Sequence, residues 1–218
     1  MMKEDNLLFT KEDASILEEI IINRRDVRGN KFLPTKISDE MISKILFAGV
    51  NAPSVGFSQP WEFVVIDDPK IKEKIKNSFN TENDKAKANF IDNKKELYST
   101  LKLEGILEAP INIAVFYKPC EGEVLGQGSM PETGQYSVVC AIQNMWLMAR
   151  TLNIGMGWVS ILNEQIVKTI LNAPAKNKLI AYLCLEYVDE FYKFPELETL
   201  KWEKRKNLQD AIIQNGYL

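Results

Sequence analysis

The chain contains no histidine among its 218 residues, and that absence limits the chemistry open to it. It excludes Ser-His-Asp and Cys-His catalysis, the HExxH metalloproteases and nearly all catalytic zinc sites, and we expect no metal site. Acid–base steps must then use a carboxyl, amine, phenol, thiol or hydroxyl group, or a cofactor. This composition favours cofactor chemistry, in which the protein supplies binding and electrostatics.

Cysteines and long apolar runs are also few. The three cysteines are widely spaced and form no CxxC motif, which is typical of a reducing compartment. The longest apolar run, Ile111 to Tyr117, is interrupted by Asn112 and is too short to cross a bilayer. Residues 1–13 lack the continuous apolar core of a signal peptide, so we expect a cytoplasmic protein with no membrane partner.

The overall composition is that of an ordinary globular protein, with 45% apolar and 26% charged residues. A net charge of −3 gives no indication of a nucleic-acid partner. The length lies between one and two domains of roughly 150 residues each, and no repeat or linker divides the chain. We therefore expect a single domain over residues 1–218.

Apolar periodicity and capping residues predict helices and strands in alternation. Helices are expected after Thr10, Ser38, Asp68 and Asn163, and over Gln135–Asn153. Strands are expected at Phe63–Ile66, Ile111–Phe116, Met156–Ile161 and Leu179–Glu186. The first helix carries an apolar face of Ile16, Leu17, Ile20 and Ile21. The helix over 135–153 is apolar nearly all round, which indicates burial in a core or an interface.

The stretch from Asp67 to Glu104 is rich in charges of both signs and poor in large apolar residues before Leu97. One interpretation is a solvated helical excursion, which the pattern by itself favours. The other is a mobile lid, because long and poorly packed segments often cover active sites.

An arginine cluster follows the first helix in the motif RRDVR, residues 24–28. Arg24, Arg25 and Arg28 place three rigid donor forks within five residues, a pattern suited to a phosphate. The alternative is a helix C-terminus neutralised by cations. The nearby cations are expected to hold Asp26 ionised unless a ligand phosphate takes up their charge.

A loop rich in hydrogen-bonding groups is predicted at residues 52–61, APSVGFSQPW. Its two hydroxyls (Ser54 and Ser58), the amide of Gln59 and an indole could bind a planar heterocycle. A capped turn with a buried tryptophan is the other interpretation.

Two glycine-containing stretches are not nucleotide motifs. A helix precedes and a strand follows residues 155–160, the reverse of the order in a dinucleotide fingerprint. Residues 122–129 have no lysine after their glycines, as a phosphate-binding loop requires. Ser160 is a hydroxyl inside an otherwise apolar predicted strand, so we expect it to be buried and hydrogen-bonded.

Several segments together resemble the nitroreductase superfamily of flavin enzymes, and within it the 5,6-dimethylbenzimidazole synthase branch. The matching residues are RRDVR (24–28) with Phe32, APSVGFSQPW (52–61), LKLEGILEAP (101–110), MPET (130–133), YSVVCAIQNMWLMAR (136–150), GWVSIL (157–162) and WEKR (202–205). RRDVR with its aspartate, MPET and GWVSIL are the motifs specific to the branch. The chain departs from the branch at Gly134 and Gln135, where a leucine–arginine pair is expected.

The resemblance implies an α+β fold, a mixed sheet flanked by helices, and a homodimer with FMN at two interface sites. The residues that it implies for FMN binding are Arg24, Arg25, Asp26, Val27, Arg28, Ser54, Ser58, Gln59, Leu101, Ser160 and Arg205. The arginines would hold the phosphate and ribityl chain, and the residues of the 52–61 loop would lie near the isoalloxazine ring. Leu101 would belong to a lid within about residues 67–107, which we call the lid segment.

The resemblance also implies a reaction. Members of the branch convert reduced FMN and dioxygen into 5,6-dimethylbenzimidazole, the lower ligand of vitamin B12, and erythrose 4-phosphate, and NAD(P)H is the expected reductant. Asp26 matches the catalytic aspartate of the branch, and Ser160 matches the serine beside the reactive edge of the flavin. The alternatives are an FMN-dependent NAD(P)H nitroreductase or dehalogenase-like reductase, in which serine commonly replaces this aspartate, and a flavin storage or sensor protein without turnover.

Overall fold

A four-stranded sheet in the order β1-β2-β4-β3 forms the centre of the computed structural model, which describes residues 8–33 and 35–217. The strands are β1 (Trp61–Ile66), β2 (Ile111–Tyr117), β3 (Ile154–Val159) and β4 (Lys178–Tyr187). All three strand pairs are antiparallel. Residues 1–7, on which part of the signal-peptide expectation depends, lie outside the described residues.

The expected mixed sheet is therefore antiparallel among these four strands. A parallel bridge between Asp26 and Met156 joins the residues after the first helix to the outer side of β3. This contact is possible because β3 is an edge strand with free backbone groups on that side. The arginine-rich motif is thereby fixed to one edge of the sheet.

Seven helices surround the sheet in the described residues. They are α1 (Lys11–Asn23), α2 (Asp39–Val50), α3 (Pro69–Ala88), α4 (Asp92–Thr100), α5 (Thr133–Thr151), α6 (Glu164–Ile170) and α7 (Glu196–Thr199). The four predicted N-caps are confirmed: Thr10, Ser38, Asp68 and Asn163 each accept a hydrogen bond from a first-turn N–H. Such caps each contribute about 1 kcal/mol, because they satisfy N–H groups that have no partner inside the helix.

Alternating side chains of β2 fill two cores, one on each face of the sheet. Ile113 and Val115 point towards α2 and α5, whereas Ala114 and Phe116 point towards α3 and α6. All four are at most 1% exposed. The short antiparallel strands can thus be covered by helices on both faces.

The apolar helix predicted over 135–153 is confirmed as α5, which runs from Thr133 to Thr151. Its inner side is fully buried, whereas Tyr136 and Val139 on its outer side are exposed. Helix α1 has no buried residue, and the apolar face that the sequence predicted for it is open to solvent. Exposed apolar patches of this kind typically mark an interaction surface.

Gly134 explains one departure from the synthase pattern. A side chain here would place its Cβ atom 2.6 Å from the ring carbon Cε2 of Tyr117, so the Tyr117 ring occupies the space that a leucine would need. The neighbouring Gln135 accepts a hydrogen bond from Lys178. The two departures therefore lie in the packing of α5 on the sheet.

The charged stretch 67–104 is only partly a solvated excursion. Helix α3 buries Ile75 and Phe79 in the core on its side of the sheet. In α4, Tyr98 alone is buried. The inner face of α3 is therefore part of the core, and the function of the lid segment stays a prediction.

The prediction that Ser160 is buried inside a strand was wrong. Strand β3 ends at Val159, and the N–H of Leu162 donates to the carbonyl of Ser160 at 3.0 Å, which turns the chain away. Ser160 lies just past the strand and is exposed. Among the described residues, no helix is long and apolar enough to span a membrane.

Candidate active site

A cavity of about 890 Å³ opens at the β3 edge of the sheet, between the end of α1, the residues after α4 and the segment Tyr192–Glu198. Its lining contains six of the predicted site residues, namely Arg24, Arg25, Asp26, Arg28, Leu101 and Arg205. We call it the arginine cavity. Its volume is in the range of pockets that hold a drug-sized ligand.

The backbone of the RRDVR motif lies flat against β3. The N–H of Val27 donates to the carbonyl of Met156 at 3.1 Å, and the side chain of Val27 is buried behind the cavity wall. A Cβ atom on Gly157 would lie 2.2 Å from the carbonyl oxygen of Val27. Only glycine allows this approach, so the glycine of GWVSIL serves to place the arginine motif rather than to bind a phosphate.

Asp26 lies in the wall of the arginine cavity with both carboxylate oxygens bonded. The N–H of Trp158 donates to Oδ1 at 3.1 Å, and Arg28 forms a short ion pair with Oδ2. The remaining accessible part of the side chain, 37%, faces the cavity. These contacts hold the carboxyl group in one orientation towards any ligand in the cavity.

The sequence predicted that nearby cations would act on the ionisation of Asp26, and Arg28 and Arg24 do lower its pKa, but they are not the largest influence. Desolvation by the surrounding walls raises the pKa of Asp26, and this effect outweighs the opposing effects of Arg28, the N–H of Trp158 and Arg24. The carboxyl group therefore takes up a proton more readily than a free aspartate. A group with such a pKa is suited to exchanging a proton with a ligand.

The three arginines of the motif differ in what they bind. Arg25 is only 8% exposed and uses four of its five N–H donors on backbone carbonyls, two of its own segment and two of Tyr192 and Lys193. It thereby fastens the segment Tyr192–Glu198 to the end of α1. Arg28 bonds to Asp26 and to the carbonyl of Trp158.

Of the four arginines that line the cavity, Arg24 and Arg205 have the most donors left for a ligand. Arg24 lies over the ring of Trp146 at 4.8 Å and has no hydrogen-bond acceptor or ion-pair partner among the described residues. Arg205 is 69% exposed and only distantly paired with Glu198, at 3.9 Å. Desolvation lowers the pKa of Arg25, and repulsion from Arg24 and Arg205 lowers it further. This cluster of mutually repelling cations would be stabilised by an anion such as a phosphate.

Glu104 anchors the chain that follows Leu101. Its buried carboxylate bonds to Lys76 at 2.8 Å, to Lys102 at 2.7 Å and to the N–H of Ile106. Burial by itself would raise the pKa of Glu104, but these bonds outweigh it and leave the pKa lowered. Its carbonyl accepts from the N–H of Gly29, so the end of the lid segment is tied to the arginine motif.

The structure does not bring the predicted loop residues Ser54, Ser58 and Gln59 to the arginine cavity. The loop is attached near the start of α5, where the N–H of Val55 donates to Ser137. Arg24 lies over the ring of Trp146, which comes nine residues after Ser137 in α5. The two attachment points are therefore about 13 Å apart along the helix.

The loop is nevertheless unusual. Gly56, Phe57 and Gln59 all have positive φ angles, of 55°, 52° and 47°. Left-handed conformations at residues other than glycine cost free energy and cluster at ligand-binding sites. Phe57 is 82% exposed, and the buried Oγ atom of Ser58 has no hydrogen-bond partner among the described residues.

Two site features were missed by the sequence analysis. The segment Tyr192–Glu198 forms one wall of the cavity, and its run of aromatic residues and proline is the signal that could have indicated it. The N–H of Trp158 as a partner of Asp26 has no signal in the sequence. Ser160 does not line the arginine cavity but a separate, smaller one of about 120 Å³, which Trp158 also lines.

Comparison with known proteins gives consistent results. Residues 21–185 match the model of the Nitroreductase family. The chain is 43% identical to the 5,6-dimethylbenzimidazole synthase of Rhodospirillum rubrum over 91% of this chain and 94% of the relative.

Two solved structures have a similar fold. A BluB-like flavoprotein from Clostridium difficile 630 is 23% identical, with a TM-score of 0.69 over 90% of this chain and 97% of that one. An iodotyrosine deiodinase bound to FMN and 3-iodo-L-tyrosine is 22% identical, with a TM-score of 0.72 over 93% of this chain and 100% of that one.

Proposed function

Because the chain belongs to the nitroreductase family, we propose that it is an FMN-dependent 5,6-dimethylbenzimidazole synthase. The observation that carries the proposal is the position of Asp26, a carboxyl with a raised pKa, held by Trp158 and Arg28 in the wall of a cationic cavity. The reaction consumes reduced FMN and dioxygen and yields 5,6-dimethylbenzimidazole and erythrose 4-phosphate, and the rest of the flavin's pyrimidine ring leaves as a third, oxidised fragment. NAD(P)H is the proposed reductant.

The arginine cavity fits FMN because two of its four arginines, Arg24 and Arg205, are not closely paired with an acidic side chain. Arg24 and Arg205 have donors available for the phosphate, and Arg28 and Arg25 add positive charge beside them. When bound, reduced FMN would supply the isoalloxazine ring for the reaction with dioxygen, and its dimethylated benzene ring with the two attached nitrogens would be retained in the benzimidazole. Val27 contributes through its backbone, which keeps the motif on β3.

The chain's own residues position the ligand and manage protons. Arg25 holds the Tyr192–Glu198 wall, and Leu101 contributes to the opposite wall, so together they restrict water in the cavity. Asp26 accepts and returns a proton at its Oδ atoms, since desolvation raises its pKa above that of a free aspartate. We place the moving part of the lid segment at α4 and the residues just after it, because the inner face of α3 is in the core.

A homodimer accounts for the surfaces that one chain leaves open. The exposed apolar faces of α1 and α5 would be covered by a second copy, and the strained loop with Ser54, Ser58 and Gln59 would reach the partner's flavin. In this arrangement Ser160, just past β3 and exposed, is available to act beside the ring. A cytoplasmic location is part of the proposal, and the three unpaired cysteine thiols are consistent with it.

The experiment that tests the function is a single-turnover reaction. Anaerobically reduced FMN is mixed with the purified protein and then with air, and 5,6-dimethylbenzimidazole is quantified by chromatography. The synthase proposal predicts stoichiometric product. A protein that forms none, and instead oxidises NAD(P)H in the presence of a nitro compound, would be a reductase of the same fold.

A further inference from the structure

Three aromatic rings join the two segments that carry opposite walls of the arginine cavity. Phe90, in the turn between α3 and α4, stacks on Tyr98 with ring centroids 5.0 Å apart. Trp202 meets Phe90 edge-on at 5.2 Å and lies 6.4 Å from Tyr98. We call these side chains the aromatic clasp. We propose that Trp202 is a positioning residue that couples closure of α4 over the flavin ring to phosphate binding at Arg205, an inference that rests on the function proposed above.

On the lid side, the clasp is the main attachment of α4. Tyr98 is the one buried residue of this helix, and its hydroxyl donates to Asn83 of α3 at 2.7 Å. The cavity-lining residues Leu101–Leu103 follow α4 directly. Their distance from a bound flavin therefore depends on how Tyr98 is packed.

On the C-terminal side, Trp202 is the main attachment of the chain beyond α7. Every residue described from 201 to 217 is exposed except Trp202, which is half-buried. The backbone N–H of Trp202 donates to the carbonyl of Leu197 at 2.8 Å, and Nζ of Lys94 in α4 lies 5.4 Å from the centroid of the Trp202 ring. Arg205 comes three residues later, so its position over the cavity depends on Trp202.

The clasp makes these two placements support each other. A phosphate that holds Arg205 also holds Trp202, and an ordered Trp202 gives Tyr98 and Phe90 a fixed surface on which to pack. The coupling is reciprocal: if phosphate binding at Arg205 favours closure of α4, closure of α4 strengthens phosphate binding by the same factor. Aromatic pairs of this kind shift an equilibrium by a factor of about 2 to 12 each. Riboflavin, which has no phosphate, should therefore close the lid less completely than FMN.

The test compares Trp202→Ala with Trp202→Phe and with Tyr217→Ala, an exposed aromatic residue of the same segment. Binding of FMN and riboflavin is measured by quenching of flavin fluorescence, and amide hydrogen exchange is followed over residues 91–103. We expect Trp202→Ala to weaken FMN about tenfold and riboflavin no more than about threefold, and to abolish the slowing of exchange that FMN causes. The other two variants should behave like the unaltered protein.

A Trp202→Ala variant with unchanged FMN affinity and exchange would overturn the proposal. So would equal losses for FMN and riboflavin, because Trp202 would then only support the fold of α4. If Trp202→Ala fails to fold, Arg205→Ala provides the test. In that variant FMN should slow hydrogen exchange over residues 91–103 no more than riboflavin does. If FMN still slows exchange there more than riboflavin, the coupling is refuted. These readouts need no turnover, so a protein that binds FMN but forms no benzimidazole would refute the proposed function and leave the clasp intact.

Discussion

Replacing Arg24 and Arg25 one at a time should separate phosphate binding from support of the cavity wall. Arg24 has no acceptor among the described residues, so Arg24→Ala removes donors that are available to the FMN phosphate. A hydrogen bond to a charged group contributes about 1.5–3 kcal/mol. FMN affinity should therefore fall by a factor of about 10 to 150, whereas riboflavin affinity should change by less than about twofold.

Arg25→Ala should act on both flavins. It removes four bonds to backbone carbonyls, including those that hold Tyr192 and Lys193, and a hydrogen bond from a charged donor contributes about 1.5–3 kcal/mol. The wall Tyr192–Glu198 then loosens. FMN and riboflavin should both bind more weakly, and the melting temperature of the flavin-free protein should fall.

Fluorescence titration of each variant with both flavins, together with thermal unfolding, checks these expectations. Arg24→Lys is the matched control for charge and should retain part of the preference for FMN, since an ammonium group keeps the charge but not the donor fork. Equal losses for the two flavins in Arg24→Ala would refute the division of roles. An Arg25→Ala variant that binds riboflavin as tightly as the unaltered protein would also refute the division of roles.

Three further predictions concern the rest of the molecule. Burial raises the pKa of Glu186 from 4.5 to about 7, so the native state loses stability as pH rises from about 4.5 to about 7. In urea unfolding at pH 8, Glu186→Gln should be about 1–3 kcal/mol more stable than the unaltered protein, whereas at pH 4.5 it should be no more stable. An equal difference in stability at the two pH values would contradict the raised pKa of Glu186. Gly157→Ala should weaken FMN binding more than about tenfold, because the added Cβ atom meets the Val27 carbonyl. Gly128→Ala, whose Cβ atom would meet nothing within 4 Å, should leave FMN binding unchanged, and equal affinities of the two variants would contradict the close contact of Gly157 with Val27. Light scattering should give twice the 24.9 kDa chain mass, and a stable monomer at micromolar concentration would contradict the dimer.

Local features of the fold were predictable from the sequence because their causes are local. Thr10 and Ser38 cap helices by bonding to N–H groups within three residues, so residue type and spacing suffice. The strands over 111–116 and 179–186 are confirmed, since both are buried and richly apolar. The end of β3 was missed because the turn at Ser160 is set by the packing of the residues after it.

The candidate site was only partly predictable: the arginine motif lines the cavity, whereas Ser54, Ser58 and Gln59 do not. The motif RRDVR and the loop at 52–61 indicated an anion and a heterocycle. The distinction between Arg24 and Arg25 could not be foreseen, because the carbonyl that engages Nε of Arg25 belongs to a residue 167 positions away. The raised pKa of Asp26 likewise depends on the desolvation that the cavity walls impose, which spacing does not reveal.

The most direct test of the proposed mechanism is the single-turnover yield of Asp26→Asn. The amide keeps the acceptor for the Trp158 N–H, so FMN should bind about as well as to the unaltered protein. Formation of 5,6-dimethylbenzimidazole from reduced FMN and air should slow by a factor of about 10² to 10⁴, the usual contribution of a positioned acid or base. Asp189→Asn, a half-exposed carboxyl outside the cavity lining, should leave the rate unchanged. An Asp26→Asn variant that forms the product at the unaltered rate would contradict the assignment of Asp26 as the proton-transfer group.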